Sequence, residues 1–156
     1  MPDSRSLSPI VLSLYRIVIG FLMACHGAST LTEFPVKPAG HTLSPTTWPG
    51  GVAAALQLVF GVLVMIGLGT RLSAVVLSGT MAYAYFSVHQ KHALLPMANG
   101  GEPAALFSWS FLAIAFVGAG PLAIDALLAR SRPVGAAEAR SLRRPTRAND
   151  AVPGVD

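Results

Sequence analysis

Charge is what this sequence has least of. Only 12% of its residues are charged against 53% hydrophobic, about half the charged share of an ordinary soluble domain. That shortage excludes a chain whose main solvent is water, because the few charges gather in tails and connections and leave long apolar stretches between them. Cysteine is almost missing too: Cys25 is the only one, which excludes an intramolecular disulfide and a CxxC redox pair. Leu22-Met23-Ala24-Cys25 has the look of a lipoprotein cleavage box, but Arg16 interrupts the apolar region such a signal needs and the apolar run continues past the cysteine. Cys25 therefore reads as a small buried residue. No close-spaced ligand set exists beyond His89-x-x-His92, so no metal site is expected. Haem ligation by His26 and His89 would need two histidines on separate spans, a thin signal. The basic residues form no stripe interleaved with aromatics, which excludes nucleic-acid binding.

What is present is four apolar stretches, each long enough for a hydrocarbon core that takes about 20 residues at ~1.5 Å rise. They run approximately Ile10 to Leu31, Gly51 to Gly69, Leu72 to Val88 and Ala104 to Leu128. The expected fold is all-α: a bundle of four transmembrane helices over residues 10–130, preceded by a short tail, residues 1–9, and followed by a basic tail, residues 131–156. The last has too little apolar content to fold alone and is expected to be disordered. Gly69-Thr70-Arg71 is a tight connection that makes the second and third helices antiparallel neighbours. Prolines at 35, 38, 45 and 49 argue against helix between the first two spans. Pro96 and Asn99-Gly100-Gly101 mark a turn before the fourth.

The arginines set the orientation. Arg5, Arg16, Arg71 and the six from Arg130 onward fall at one end of the bundle, and Lys37 and Lys91 fall in the other two connections. The positive-inside rule places the first set, and with it both termini, in the cytoplasm. The implied localisation is a bacterial cell membrane crossed several times, with the lipid bilayer as the first partner.

Polar groups within spans are costly and are expected to face the interior. On the first helix Arg16, Gly20, Met23 and Gly27 share a face at helical spacing, and glycines there admit a close neighbour. On the second, Ala53, Gln57 and Gly61 align; on the third, Ser78, Ala82, Tyr85 and His89; on the fourth, Glu102, Trp109, Ala113, Phe116 and Gly120. The bland reading of these stripes is packing and hydrogen-bond glue. Depth sorts them into two layers. Toward the cytoplasm, Arg16 and Asp125 are expected to form an ion pair; the alternative is that Arg16 snorkels to lipid phosphate. Toward the outside, His26, Gln57, His89 and Glu102 reach similar depth, with Trp109 as an apolar floor, and are the candidates for ligand binding or proton transfer. Alternatively, Glu102 merely starts its helix.

Leu14-Tyr15-Arg16 with Gly20 and His26-Gly27, the Gly61 to Gly67 segment with Gly69-Thr70-Arg71, Ala84-Tyr85-Phe86 with His89, and Asn99-Gly100-Gly101-Glu102 followed by Gly118, Gly120 and Asp125 together resemble the DoxX family of small four-helix bacterial membrane proteins. The resemblance covers roughly residues 10 to 130. Two departures stand out: Ser29 and Thr30 where many members have a lysine, and Gln57 where many have a glutamate. The resemblance implies a role in redox or sulfur metabolism. Some relatives are subunits of a thiosulfate:quinone oxidoreductase, and others accompany oxidative-stress defence. The first expectation is an accessory subunit with a protein partner in a membrane redox complex. The second is a quinone-linked oxidoreductase using the outer polar residues, with quinone as its cofactor. A small-solute transporter fits less well, because an apolar middle separates the layers.

Overall fold

The computed structural model describes residues 4–37 and 42–131, with side chains from Ser8 onward. Ser131 is the one residue of the expected basic tail among them; the rest of that tail lies outside the described residues. All regular structure among them is helical. Helix α1 spans Ser4–Thr32, α2 Gly50–Ile66, α3 Thr70–Ala84, α4 Pro96–Asn99, α5 Glu102–Val117 and α6 Ile124–Arg130. Helix α3 is prolonged by a π-turn over Tyr85–His89, closed by the Gln90 amide donating to the Tyr85 carbonyl at 2.9 Å.

Two expected boundaries differ. The first helix starts at Ser4 rather than near residue 10; Pro9 lies close enough to its start that few helical hydrogen bonds are lost. The fourth stretch is not one helix to Leu128. It stops at Val117, where Gly118 and Gly120 take positive φ of 98° and 72°, and resumes as the short α6 at Ile124. Among the described residues, only the helix over Ser8–Thr32 is by itself long and apolar enough to cross a membrane; Gly50–Ile66 and Glu102–Val117 are apolar but shorter.

The helices pack chiefly as α1 on α2 and α3 on α5, with α2 against α3 joining the pairs. Small residues allow the first contact: a Cβ on Gly61 would come within 2.7 Å of the Ala24 amide nitrogen, and one on Gly20 within 2.6 Å of that of Met65. The apolar core is Met23, Val64, Ala74, Leu77, Met81, Phe111 and Ile114. Ser78 and Ser108 lace α3 to α5, each hydroxyl donating to the other's carbonyl at 2.9 and 3.1 Å.

Burial runs opposite to that of a water-soluble bundle. Ser13, Arg16, Gln57, Thr70 and Ser73 are buried, while Val11, Leu14, Val18, Phe21, Leu72, Leu106 and Phe116 are exposed. An apolar exterior of that extent marks a surface that meets something other than water.

Candidate functional site

Two polar clusters lie at opposite ends of the bundle. At the first, Arg16 is 0% exposed, and a guanidinium so enclosed needs acceptors for its fork of donors. It finds main-chain carbonyls. Nε donates to Ala119 O at 2.8 Å, one terminal nitrogen to Met65 O at 2.7 Å and to Val64 O, and the other to Leu122 O at 2.6 Å. Val64 and Met65 lie in the last turn of α2, where carbonyls short of helical partners concentrate negative charge; Val64 O also accepts the Gly67 amide at 3.1 Å. Gly67 ends that helix at φ 77°; the amides of Gly67 and Leu68 both return to Leu63 O, closing the helix in a glycine-capped turn. A side chain at Gly67 would strike Ala123 and Arg16 besides straining the backbone.

Asp125 makes a separate set of bonds. Its two carboxylate oxygens accept the amides of Gly69 at 2.9 Å and Thr70 at 3.0 Å, capping α3 from across the bundle, and its own amide donates to Gly67 O at 2.9 Å. Burial pushes its carboxyl up, but the Thr70 and Gly69 amides, helped by the charge of Arg16, outweigh that and hold it below the ordinary carboxylate value. The expected Arg16–Asp125 ion pair is therefore absent as a direct contact. Among the described residues the sole ion pair within 4.0 Å is Lys37–Glu33, on the surface. The break after Val117 explains the difference: it carries the chain around Arg16 as a loop of carbonyls, and α6 turns Asp125 toward α3.

At the other end, His26 of α1, Gln57 of α2 and His89 of the π-turn line one cavity of about 250 Å³ with Met23, Met81 and Phe107. Gln57 is buried, and its amide nitrogen donates weakly to Met81 Sδ at 3.5 Å. His89 is placed by the loop that follows it. Asn99 bridges that loop, its side-chain amide donating to Ala93 O at 2.8 Å and its Oδ1 accepting the Gly101 amide at 2.7 Å, while its main-chain carbonyl meets His89 Nδ1 at 3.3 Å. Gly101 packs so tightly that a Cβ would fall 2.7 Å from His89 Cβ. The Asn-Gly-Gly turn thus does more than start α5; it sets the imidazole.

Glu102 and Trp109 stand elsewhere. Glu102 opens α5 with an exposed side chain. Trp109 is 72% exposed and belongs to a different, shallower hollow with Phe86 and Pro96. Ala113 and Phe116 share this outward face, so the interior face of α5 is that of Ala104, Phe107, Phe111 and Ile114. Helix α5 is apolar around its whole circumference, and periodicity cannot choose a face for such a helix. Phe107 is not legible in the sequence for that reason, nor is the Asn99 carbonyl, which no side-chain pattern reveals.

A sequence profile of the DoxX family matches residues 11–90, which hold Arg16, His26, Gln57 and His89. An uncharacterized protein of Haemophilus influenzae is 38% identical over 128 residues, covering 80% of this chain and 96% of that one. No solved structure matches the chain.

Proposed function

The chain belongs to the DoxX family, and from that premise we propose that it is a multi-pass protein of the bacterial cell membrane, the membrane subunit of a redox complex that holds a quinone-type ring in its imidazole–amide cavity. The observation that carries this reading is the convergence of His26, Gln57 and His89 from three helical segments on one otherwise apolar cavity, since polar groups inside spans mark function by default. At about 250 Å³ the cavity lies below the ~300–1,000 Å³ of pockets for drug-sized ligands. It suits a ring head group whose apolar tail stays in lipid.

The spans of this proposal are α1, α2, α3 with its π-turn, and α5. The exposed apolar flanks of these helices support a lipid environment, and the exposed Trp48, just before α2, suits the interface. An even number of spans puts both ends on one side, in keeping with the neighbouring positions of Arg16, the Gly69 turn and α6. The arginine distribution makes that side cytoplasmic. Residues 10–130 then form the membrane domain, and residues 131–156 a cytoplasmic tail available to anionic lipid or a partner.

Purification of the full chain from its native membrane in mild detergent tests the reading. It predicts a stoichiometric redox partner and saturable binding of a short-tailed benzoquinone or its quinol. A lone protein that binds neither would refute it. Impermeant maleimide applied to single cysteines at Lys37 and Ser131, in a Cys25→Ala background, tests topology: labelling of residue 131 in intact cells would overturn the cytoplasmic placement.

A further inference from the structure

We propose that the cavity discriminates between redox states, taking the reduced, hydroxyl-bearing ring in preference to the oxidised dicarbonyl. This rests on the quinone reading above and adds a direction to it. A main-chain carbonyl can only accept, so the contact between His89 Nδ1 and Asn99 O fixes the proton on Nδ1. The neutral ring then offers Nε2 as an acceptor alone. Gln57 holds one amide hydrogen on Met81 Sδ and keeps its second amide hydrogen and its carbonyl oxygen without a protein partner among the described residues, so it can donate or accept. The lining holds no carboxylate, lysine or arginine, glutamine standing on α2 and Glu102 lying outside it. Of its polar groups His89 is the one whose free ring nitrogen only accepts.

A quinol brings two hydroxyl donors to such a site. A quinone brings only lone pairs, which would face the lone pair of His89 Nε2 and leave it unpaired within a cavity walled by Met23, Met81 and Phe107. His26 makes no side-chain hydrogen bond among the described residues, so its ring presents either nitrogen and, like the Gln57 amide, serves both forms equally. The bias comes from His89. Sites that hydrogen-bond a ligand hydroxyl reject analogues unable to donate far more strongly than apolar sites reject a missing methylene, and the expected preference is about ten-fold or more for the reduced form.

The experiment is anaerobic titration calorimetry on the full chain in nanodiscs, with a short-tailed benzoquinone and, separately, its quinol. The quinol should bind at least about ten-fold more tightly. His89→Phe, read alongside the melting temperature to certify folding, should weaken the quinol and leave the quinone nearly unchanged. Gln57→Met, which keeps the volume and removes a donor together with an acceptor, should weaken both forms alike. Equal binding of both forms, or tighter binding of the quinone, overturns the discrimination while the quinone site stands. Binding of neither overturns both. A folded His89→Phe protein that keeps the full preference also overturns it, because the His89 acceptor is then not the one that chooses.

Discussion

Replacing Arg16 by methionine keeps roughly the volume of the side chain and removes every donor, so the loss reads the clamp and not a cavity. Four carbonyls, on Val64, Met65, Ala119 and Leu122, lose the guanidinium at once, and of these Val64 O keeps the Gly67 amide. Hydrogen bonds to a charged group contribute about 1.5–3 kcal/mol each, which would sum to roughly 6–12 kcal/mol if they were additive. Against that, the variant no longer buries a cation, whose desolvation costs several kcal/mol. The net loss is about 4 kcal/mol, in the range found when one side of a buried charged contact is removed. At roughly 2–4 °C per kcal/mol the melting temperature in detergent should fall by about 8–16 °C. Arg16→Lys should recover less than half, since an ammonium cannot fork to carbonyls on both α2 and the α5–α6 loop. Circular dichroism melts decide the matter: an Arg16→Met protein melting within about 2 °C of the parent, or a lysine variant as stable as the parent, would refute the clamp. The double variant with Asp125→Asn separates this arrangement from the ion pair. Coupling below about 1 kcal/mol is expected, and several kcal/mol would restore the pair.

Asp125→Asn alone should cost about 1 kcal/mol through the lost cap on α3, again read as a melting shift. Because the folded pKa of Asp125 lies below its ordinary value near 3.8, its stabilisation is complete above that value and is lost as pH falls through the lowered one; an acid titration of stability should show this loss in the parent and not in the asparagine variant. Gly61→Ala should destabilise by about 1–3 kcal/mol through the clash with Ala24, whereas Gly79→Ala, where a Cβ meets nothing within 4 Å, should be neutral or slightly stabilising; equal melts would contradict the close α1–α2 approach. Glu102→Gln and Trp109→Ala should leave quinol affinity within about two-fold, as expected of exposed residues away from the site, and a ten-fold loss in calorimetry would put them back in the cavity.

The helices and the two polar ends were legible because they depend on apolar run length and on where polar residues interrupt it. Arg16, Gly20, Met23 and Gly27 do share a buried face, since helical spacing on α1 is unambiguous. Legibility failed where direction depends on the backbone. The Gly118–Ala123 break between α5 and α6 lies inside an apolar run that looks continuous, and its consequence, carbonyls wrapped around Arg16, cannot be seen in side-chain types. The π-turn likewise inserts an extra residue into a helix whose sequence, Tyr-Phe-Ser-Val-His, announces nothing unusual. Charge complementarity suggests Arg16 with Asp125, and depth alone suggests Glu102 with the outer polar cluster. In the structure Arg16 and Asp125 turn to main-chain groups, and Glu102 lies exposed.

The clamp on Arg16 also orders events in biosynthesis. Its acceptors on α2 lie 48 and 49 residues downstream and those beyond α5 lie 103 and 106 downstream, so a ribosome adding roughly 5–20 residues per second leaves the guanidinium without its full partner set for on the order of 5–20 s. During that interval α1 carries a cation whose donors are only partly matched, and the set closes only once the loop after α5 is made. A chain ending before Ala119 would keep α1, α2 and α3 and lack the two carbonyls that complete the grip on the guanidinium.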